Sequence, residues 1–223
     1  MKKFFTLIAA VAMAASMNAQ TTYSMAGLSG DNFTYDAKWW TYSNNQFDYL
    51  QGSKTDYSTL AMKDIPITFS YKNSKAKSKA FSISKDYFCA QTKGVQVSVS
   101  GLTEGQEVAF SVASKGSTAA VFDIVSGCEV VGEMPTLAAK SGDDLKFITI
   151  KVKATDATAV IKETVGGFGI ESVIVSEGTS TGITNVDAAS SAKSSAIYNL
   201  AGQQVNKVYK GVVIQNGKKF LNK

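Results

Sequence analysis

The 223-residue sequence contains no histidine and no arginine. Without histidine it lacks the commonest general base and the commonest metal ligand. That excludes Ser–His–Asp and Cys–His catalysis and a histidine-ligated zinc site. Without arginine it lacks the planar fork that grips phosphate and guanine through paired hydrogen bonds, which argues against nucleic acid as a partner. The catalytic chemistry left belongs to lysine and carboxylates, so a polysaccharide lyase or glycosidase stands only as an alternative to a non-catalytic protein.

Cysteine is scarce as well, with Cys89 and Cys128 alone. An even pair in an exported chain is compatible with one disulfide, closing a 39-residue loop and worth about 4 kcal/mol. It is equally compatible with two separate buried thiols behaving as small apolar residues.

One long apolar run is present, and it lies at the start. Lys2 and Lys3 precede the stretch Phe4 to Ala15, and the small and polar group Ser16-Met17-Asn18-Ala19 follows. This layout predicts a secretory signal peptide over residues 1–19, cut between Ala19 and Gln20. The run is shorter than the roughly 20 residues needed to span hydrocarbon, and no later stretch qualifies. Extracellular or outer-surface location follows as an expectation.

The formal charge of +5 divides unevenly. Residues 20–181 hold 15 lysines and 17 acids, whereas residues 182–223 hold six lysines and only Asp187. The basic character therefore belongs to the tail.

Apolar residues in the remaining chain recur with period two. Phe33, Tyr35, Ala37 and Trp39 alternate with Thr34, Asp36 and Lys38, and Ile65, Ile67, Phe69 and Tyr71 alternate with Pro66, Thr68 and Ser70. Val95-Val97-Val99, Val108-Phe110-Val112 and Ile148-Ile150-Val152 repeat the pattern. Such sets put apolar side chains on one face of a strand and polar ones on the other. Glu104-Gly105 reads as a short hairpin link, and Gly166, Gly167 and Gly169 as a turn or bulge without the lysine and hydroxyl of a phosphate loop. Pro66 predicts an edge strand, and Lys75, Lys77 and Lys79 a solvated, guarded edge. The expected fold is all-β: an antiparallel, jelly-roll-like β-sandwich over residues 20–177. A linker at 178–196 and a small β appendage at 197–223 follow.

The only two tryptophans, Trp39 and Trp40, are neighbours. If Phe33 to Tyr42 were one strand, Trp39 would enter the core. Trp40 and Tyr42 would then share the polar face with Asp36 and Lys38. Flat rings beside polar groups suit the C–H faces and hydroxyls of a sugar, so Trp40, Tyr42, Asp36 and Lys38 form a candidate glycan site. The alternatives are a Trp40 covered by other parts of the chain, or one that meets a partner protein. No cofactor is expected, apart from a structural calcium ion for which Asp31 and a backbone carbonyl are candidate ligands.

The tail runs Ile197-Tyr198-Asn199-Leu200-Ala201-Gly202-Gln203-Gln204-Val205, then Lys210-Gly211-Val212-Val213-Ile214-Gln215-Asn216-Gly217-Lys218-Lys219-Phe220-Leu221. It reads as a strand, an Ala-Gly turn, a strand, and a hairpin closed at Asn216-Gly217. This segment resembles the C-terminal sorting domain of type IX secretion substrates in Bacteroidetes. The resemblance covers residues 182–223 and is carried by Tyr198, Asn199, Leu200, Gly202, Gly211, Asn216, Gly217 and Lys218. It implies passage through the outer membrane, with the tail read by export machinery as an address. The signal ending Asn18-Ala19-Gln20 looks like that phylum too.

More loosely, Gly94 to Val99, the Leu102-Thr103-Glu104-Gly105-Gln106 turn and Gly169 to Val175 resemble carbohydrate-binding-module-like sandwiches. The expected partners are therefore an extracellular polysaccharide or, alternatively, a surface protein.

Overall fold

The computed structural model describes residues 19–178 apart from 51, 53 and 143, and in the tail 197–199, 204–205, 210–215 and 218–222. Residue contacts divide the chain into two compact units, Met1–Thr179 and Ser180–Lys223.

The larger unit enters on β1 (Gln20–Ser24), makes one 3-10 turn at Gly30–Asn32, and continues into β2 (Phe33–Tyr35), β3 (Trp40–Ser43) and β4 (Gln46–Tyr49). Then come β5 (Ser58–Met62), β6 (Ile67–Tyr71), β7 (Lys77–Ile83), β8 (Phe88–Ala90), β9 (Gln96–Ser100), β10 (Glu107–Ser114) and β11 (Val121–Ser126). The last four are β12 (Cys128–Val130), β13 (Ile148–Ala154), β14 (Thr158–Val165) and β15 (Phe168–Ser176). One sheet has the order β12-β13-β10-β15-β8-β7-β4-β3, with β1 beside the second half of β15. The other has the order β11-β14-β9-β6-β5-β2. Every pairing is antiparallel. The chain changes sheet after almost every one or two strands, which is the jelly-roll-like winding expected from many short alternating segments.

Alternation fixes which side chains lie between the sheets. On β9, Val97 and Val99 are fully buried while Gln96 and Ser98 are half-exposed, and on β10 Val108, Phe110 and Val112 point inward. Rings then meet across the gap. Phe33 of β2 lies 5.2 Å from Phe47 of β4, Phe69 of β6 lies 4.5 Å from Phe88 of β8, and Phe122 of β11 lies 5.0 Å from Phe168 of β15. Each such ring contributes about 2–3 kcal/mol by leaving water, with a further gain from edge and tilted ring contacts.

Three readings from pattern alone are corrected by topology. Glu104-Gly105 is a tight turn, with Gly105 at φ +92°, but it joins β9 of one sheet to β10 of the other, so it is a crossover and not a hairpin. Pro66 does not mark an edge. It precedes β6, which lies between β9 and β5, and its missing N–H falls outside the ladder while its carbonyl accepts from Ser100. Lys75, Lys77 and Lys79 are exposed, yet β7 lies between β8 and β4. Lys79 adopts φ +53° and the β4–β7 register slips there, so the lysines do not line one regular face.

After β12, Lys140, Leu145 and Phe147 lie near the outer face of the nine-stranded sheet, around Cys89 and Tyr87. Leu137 is buried, the Lys140 N–H donates to the Gly116 carbonyl at 2.8 Å, and Tyr87 meets Phe147 at 5.9 Å. A Cβ on Gly169 would stand 2.9 Å from Leu145 Cδ1 and 3.7 Å from Cys89 Sγ. Cys89 is thus buried on the outer side of its sheet, near these residues.

No disulfide forms; both cysteines are free and buried. Cys128 lies on edge strand β12 with its side chain in the core, and Cys89 lies on β8. Four strand steps separate them in the sheet. At about 4.8 Å per step that is about 19 Å, far beyond the roughly 7 Å a disulfide tolerates between Cα atoms. The reading as two separate thiols holds.

The smaller unit is a four-stranded antiparallel sheet of β16 (Ile197–Asn199), β17 (Gln204–Val205), β18 (Gly211–Gln215) and β19 (Lys218–Asn222), ordered β17-β16-β18-β19. Tyr198 pairs with Gln204 and Ile214, Asn199 with Val213, Gly211 with Asn222, and Lys218 with Gln215. The four described strands fall within the segments expected to be extended. Leu200, Gly202, Asn216 and Gly217 lie outside the described residues, as do the linker from 179 to 196 and the signal segment 1–18. At the expected cut, Ala19 precedes β1, which begins at Gln20. Among the described residues no helix is long and apolar enough to cross a membrane, which says nothing of a β-barrel.

Candidate functional site

The predicted continuous strand Phe33 to Tyr42 is interrupted at Asp36. Its carboxylate Oδ1 accepts the Lys38 N–H at 2.8 Å, and its carbonyl accepts the N–H groups of Trp39 at 3.0 Å and Trp40 at 3.1 Å. This aspartate-nucleated turn is a local alternative to extended pairing. It separates β2 from β3 and resets which side each residue faces.

Trp40 therefore points inward, which corrects its place in the candidate site. It is 1 % exposed, with its ring 4.9 Å from Tyr49, 5.3 Å from Phe81 and 6.5 Å from Tyr71. Tyr42, two residues on, shares that inward face and is half-buried 4.8 Å from Phe47. A side chain at Gly30 would collide with its ring, and its hydroxyl donates to Asn45 Oδ1 at 3.0 Å. Trp40 and Tyr42 are consequently not an outward pair.

The outward indole is Trp39. Its carbonyl accepts the Leu50 N–H at 2.9 Å, continuing the Trp40–Tyr49 pairing by one residue. Since Trp40 and Tyr49 face the core, Trp39 and Leu50 fall on the other side of the ribbon. Leu50 is 43 % exposed and Trp39 half-buried, its inner edge packed on the core. Lys38 sends its Nζ over the Trp39 ring, 4.5 Å from the centroid. Asp36, Lys38 and Thr41 are exposed around it. Of the four sequence candidates, Asp36 and Lys38 are thus brought beside a partly exposed indole, but that of Trp39. The signal that finds this is the Asp36-Ala37-Lys38 triplet, an aspartate two residues before an N–H it can cap.

Asp31 is exposed within the 3-10 turn. Among the described residues no group of three or more cysteine, aspartate and glutamate side chains is placed to hold a metal ion.

Pattern reading passed over Glu163. It is fully buried on β14, opposite Phe122 of β11 and on the same side as Ala159 and Ile161. Burial pushes its carboxyl up from 4.5 to about 7, against smaller opposing effects of the Gly94 N–H, Lys93 and Lys162. Such a value suits proton transfer, but the group is sealed from any substrate. The alternation Ala159-Ile161-Glu163 is the signal that places it inside.

The chain matches no family model, and no curated protein matches it. Fold and surface define a class, an antiparallel β-sandwich with a second small β unit and an indole at the rim of its larger sheet.

Proposed function

We propose that this chain is an exported, non-catalytic β-sandwich that binds extracellular glycan through the Trp39 edge. The carrying observation is that Trp39 and Leu50 stand outward together where edge strand β3 begins. An indole held by backbone pairing loses little freedom when a sugar ring stacks on it, and polar neighbours meet the hydroxyls. The lack of histidine and the sealed position of Glu163 favour binding over catalysis.

Export by a type IX-like route is part of the same proposal. It is supported by the sequence resemblance of residues 182–223 and by the order of their strands. Deleting residues 197–223 is expected to leave the sandwich folded but abolish its delivery to the surface; unchanged delivery would remove the sorting role.

Titrating polysaccharides while following tryptophan emission tests the binding reading. Trp39→Ala is expected to abolish a response that the parent protein shows. A parent protein that responds to no glycan sinks the reading.

A second reading, a surface protein that contacts other proteins, draws on the opposite rim. Val121 and Val165 pair across β11 and β14 and remain 45 % and 43 % exposed. Loss of cell–cell adhesion on Val121→Lys, with glycan response intact, would favour it.

A further inference from the structure

Resting on the glycan reading, we propose that the Trp39 edge selects an acidic sugar, one carrying a carboxylate or sulfate, over a neutral one. The argument begins with what already occupies the indole. The ring packs partly on the core, and the ammonium of the exposed Lys38 stands over it, 4.5 Å from the centroid. A sugar that stacks there has to displace Lys38 from the ring.

For a neutral sugar the displacement is a plain loss. The ammonium gives up its attraction to the electron-rich face and gains only water, so the cation competes with the ligand. For an acidic sugar it is an exchange. Lys38 moves from ring to anion, where a charge-assisted hydrogen bond is stronger than the ring contact it leaves. Lysine suits this because its compact charge sits on a flexible stem that can swing between the two partners.

Two further observations fit. Among the described residues no carboxylate forms an ion pair with Lys38, so its charge is uncommitted apart from the indole. Asp36, the nearest acid in sequence, spends one oxygen capping the Lys38 N–H and so holds the backbone of the turn, leaving the ammonium at the far end of its stem. The turn thereby presents cation and ring together.

The test screens the full-length protein on an array of uronate-bearing, sulfated and neutral glycans, then titrates the best binder. It compares the parent protein with Lys38→Gln and Trp39→Ala, with thermal melts confirming that both variants fold. Binding confined to acidic glycans is expected, with the uronate and sulfated arms reporting which anion is preferred. Lys38→Gln should weaken it about 10-fold and erase most of its salt dependence, and Trp39→Ala should abolish it.

Neutral glycans bound as tightly as acidic ones, with Lys38→Gln neutral or beneficial, would overturn the acidic preference while leaving glycan binding in place. Acidic glycans bound equally by both variants would overturn the site. No glycan bound by the parent protein would overturn the glycan reading and this inference with it.

Discussion

Glu163 and Gly94 are joined twice: the Gly94 N–H reaches both the Glu163 carbonyl and its Oε2, each at 3.0 Å. The second carboxyl oxygen, Oε1, ends in the interior with no partner among the described residues. A buried carboxylate with one oxygen unsatisfied is costly, so the protonated form is favoured in the folded state.

The consequence for pH follows from the sign of the shift. The folded value of about 7 lies above the ordinary 4.5, so the folded protein binds more protons between them. This group's contribution is fully present below pH 4.5, falls as pH rises towards 7, and levels off above it. The whole effect is at most about 3 kcal/mol. Urea unfolding at pH 5, 6, 7 and 8 should show Glu163→Gln gaining on the parent protein as pH rises. Parallel curves would contradict the buried-acid account.

The two tryptophans should separate cleanly. Trp40→Ala empties a site among Tyr49, Tyr71 and Phe81 and should cost about 3–5 kcal/mol. Trp39→Ala should cost less, about 1–2 kcal/mol, since that ring is only partly buried against the core. Acrylamide quenching should report one accessible and one shielded indole in the parent protein, and loss of the accessible one in Trp39→Ala.

Both thiols should be countable. Alkylation of unfolded protein without reductant should modify two cysteines per chain. In the folded protein at pH 8 Cys89 should stay unmodified, because it is buried and burial pushes its thiol up to about 11. Mass spectrometry after each treatment reads both outcomes, and a chain two mass units light with no label would revive the disulfide.

Glycine turns should differ by their surroundings. Gly127 has φ +67° between β11 and β12, and a Cβ there would run into the Thr158 carbonyl oxygen. Gly101 has φ +74° with no described residue within 4 Å of a Cβ. Gly101→Ala should cost about 1–2 kcal/mol for left-handed backbone alone. Gly127→Ala should cost clearly more, because β11 and β12 belong to different sheets and the crossover cannot shift without disturbing both. Denaturant midpoints compare them directly.

The strands were readable because their information is local. Alternation at Val95-Val97-Val99 or Val108-Phe110-Val112 needs only a chain that extends, and whichever sheet it joins, one face must be apolar. The candidate site was half readable. Asp36 and Lys38 are exposed as expected, but the ring they stand beside depends on a single turn, and a short break reverses every side chain beyond it. Glu163 was overlooked because a lone acid in an alternating segment looks like an ordinary surface charge until its neighbours are known.

By itself the sequence determined that the chain folds as sheets, that histidine and arginine chemistry is absent, and that the tail forms strands of its own. Those properties follow from residue type and short-range spacing. Tertiary structure decided which strands pair and that β9 and β10 part company at Gly105. It also decided that the cysteines lie too far apart to join and that Trp39 rather than Trp40 meets the solvent. Each of these depends on long-range register, where one hydrogen bond from a backbone N–H to a carboxylate can outweigh the preference of a ring for either side.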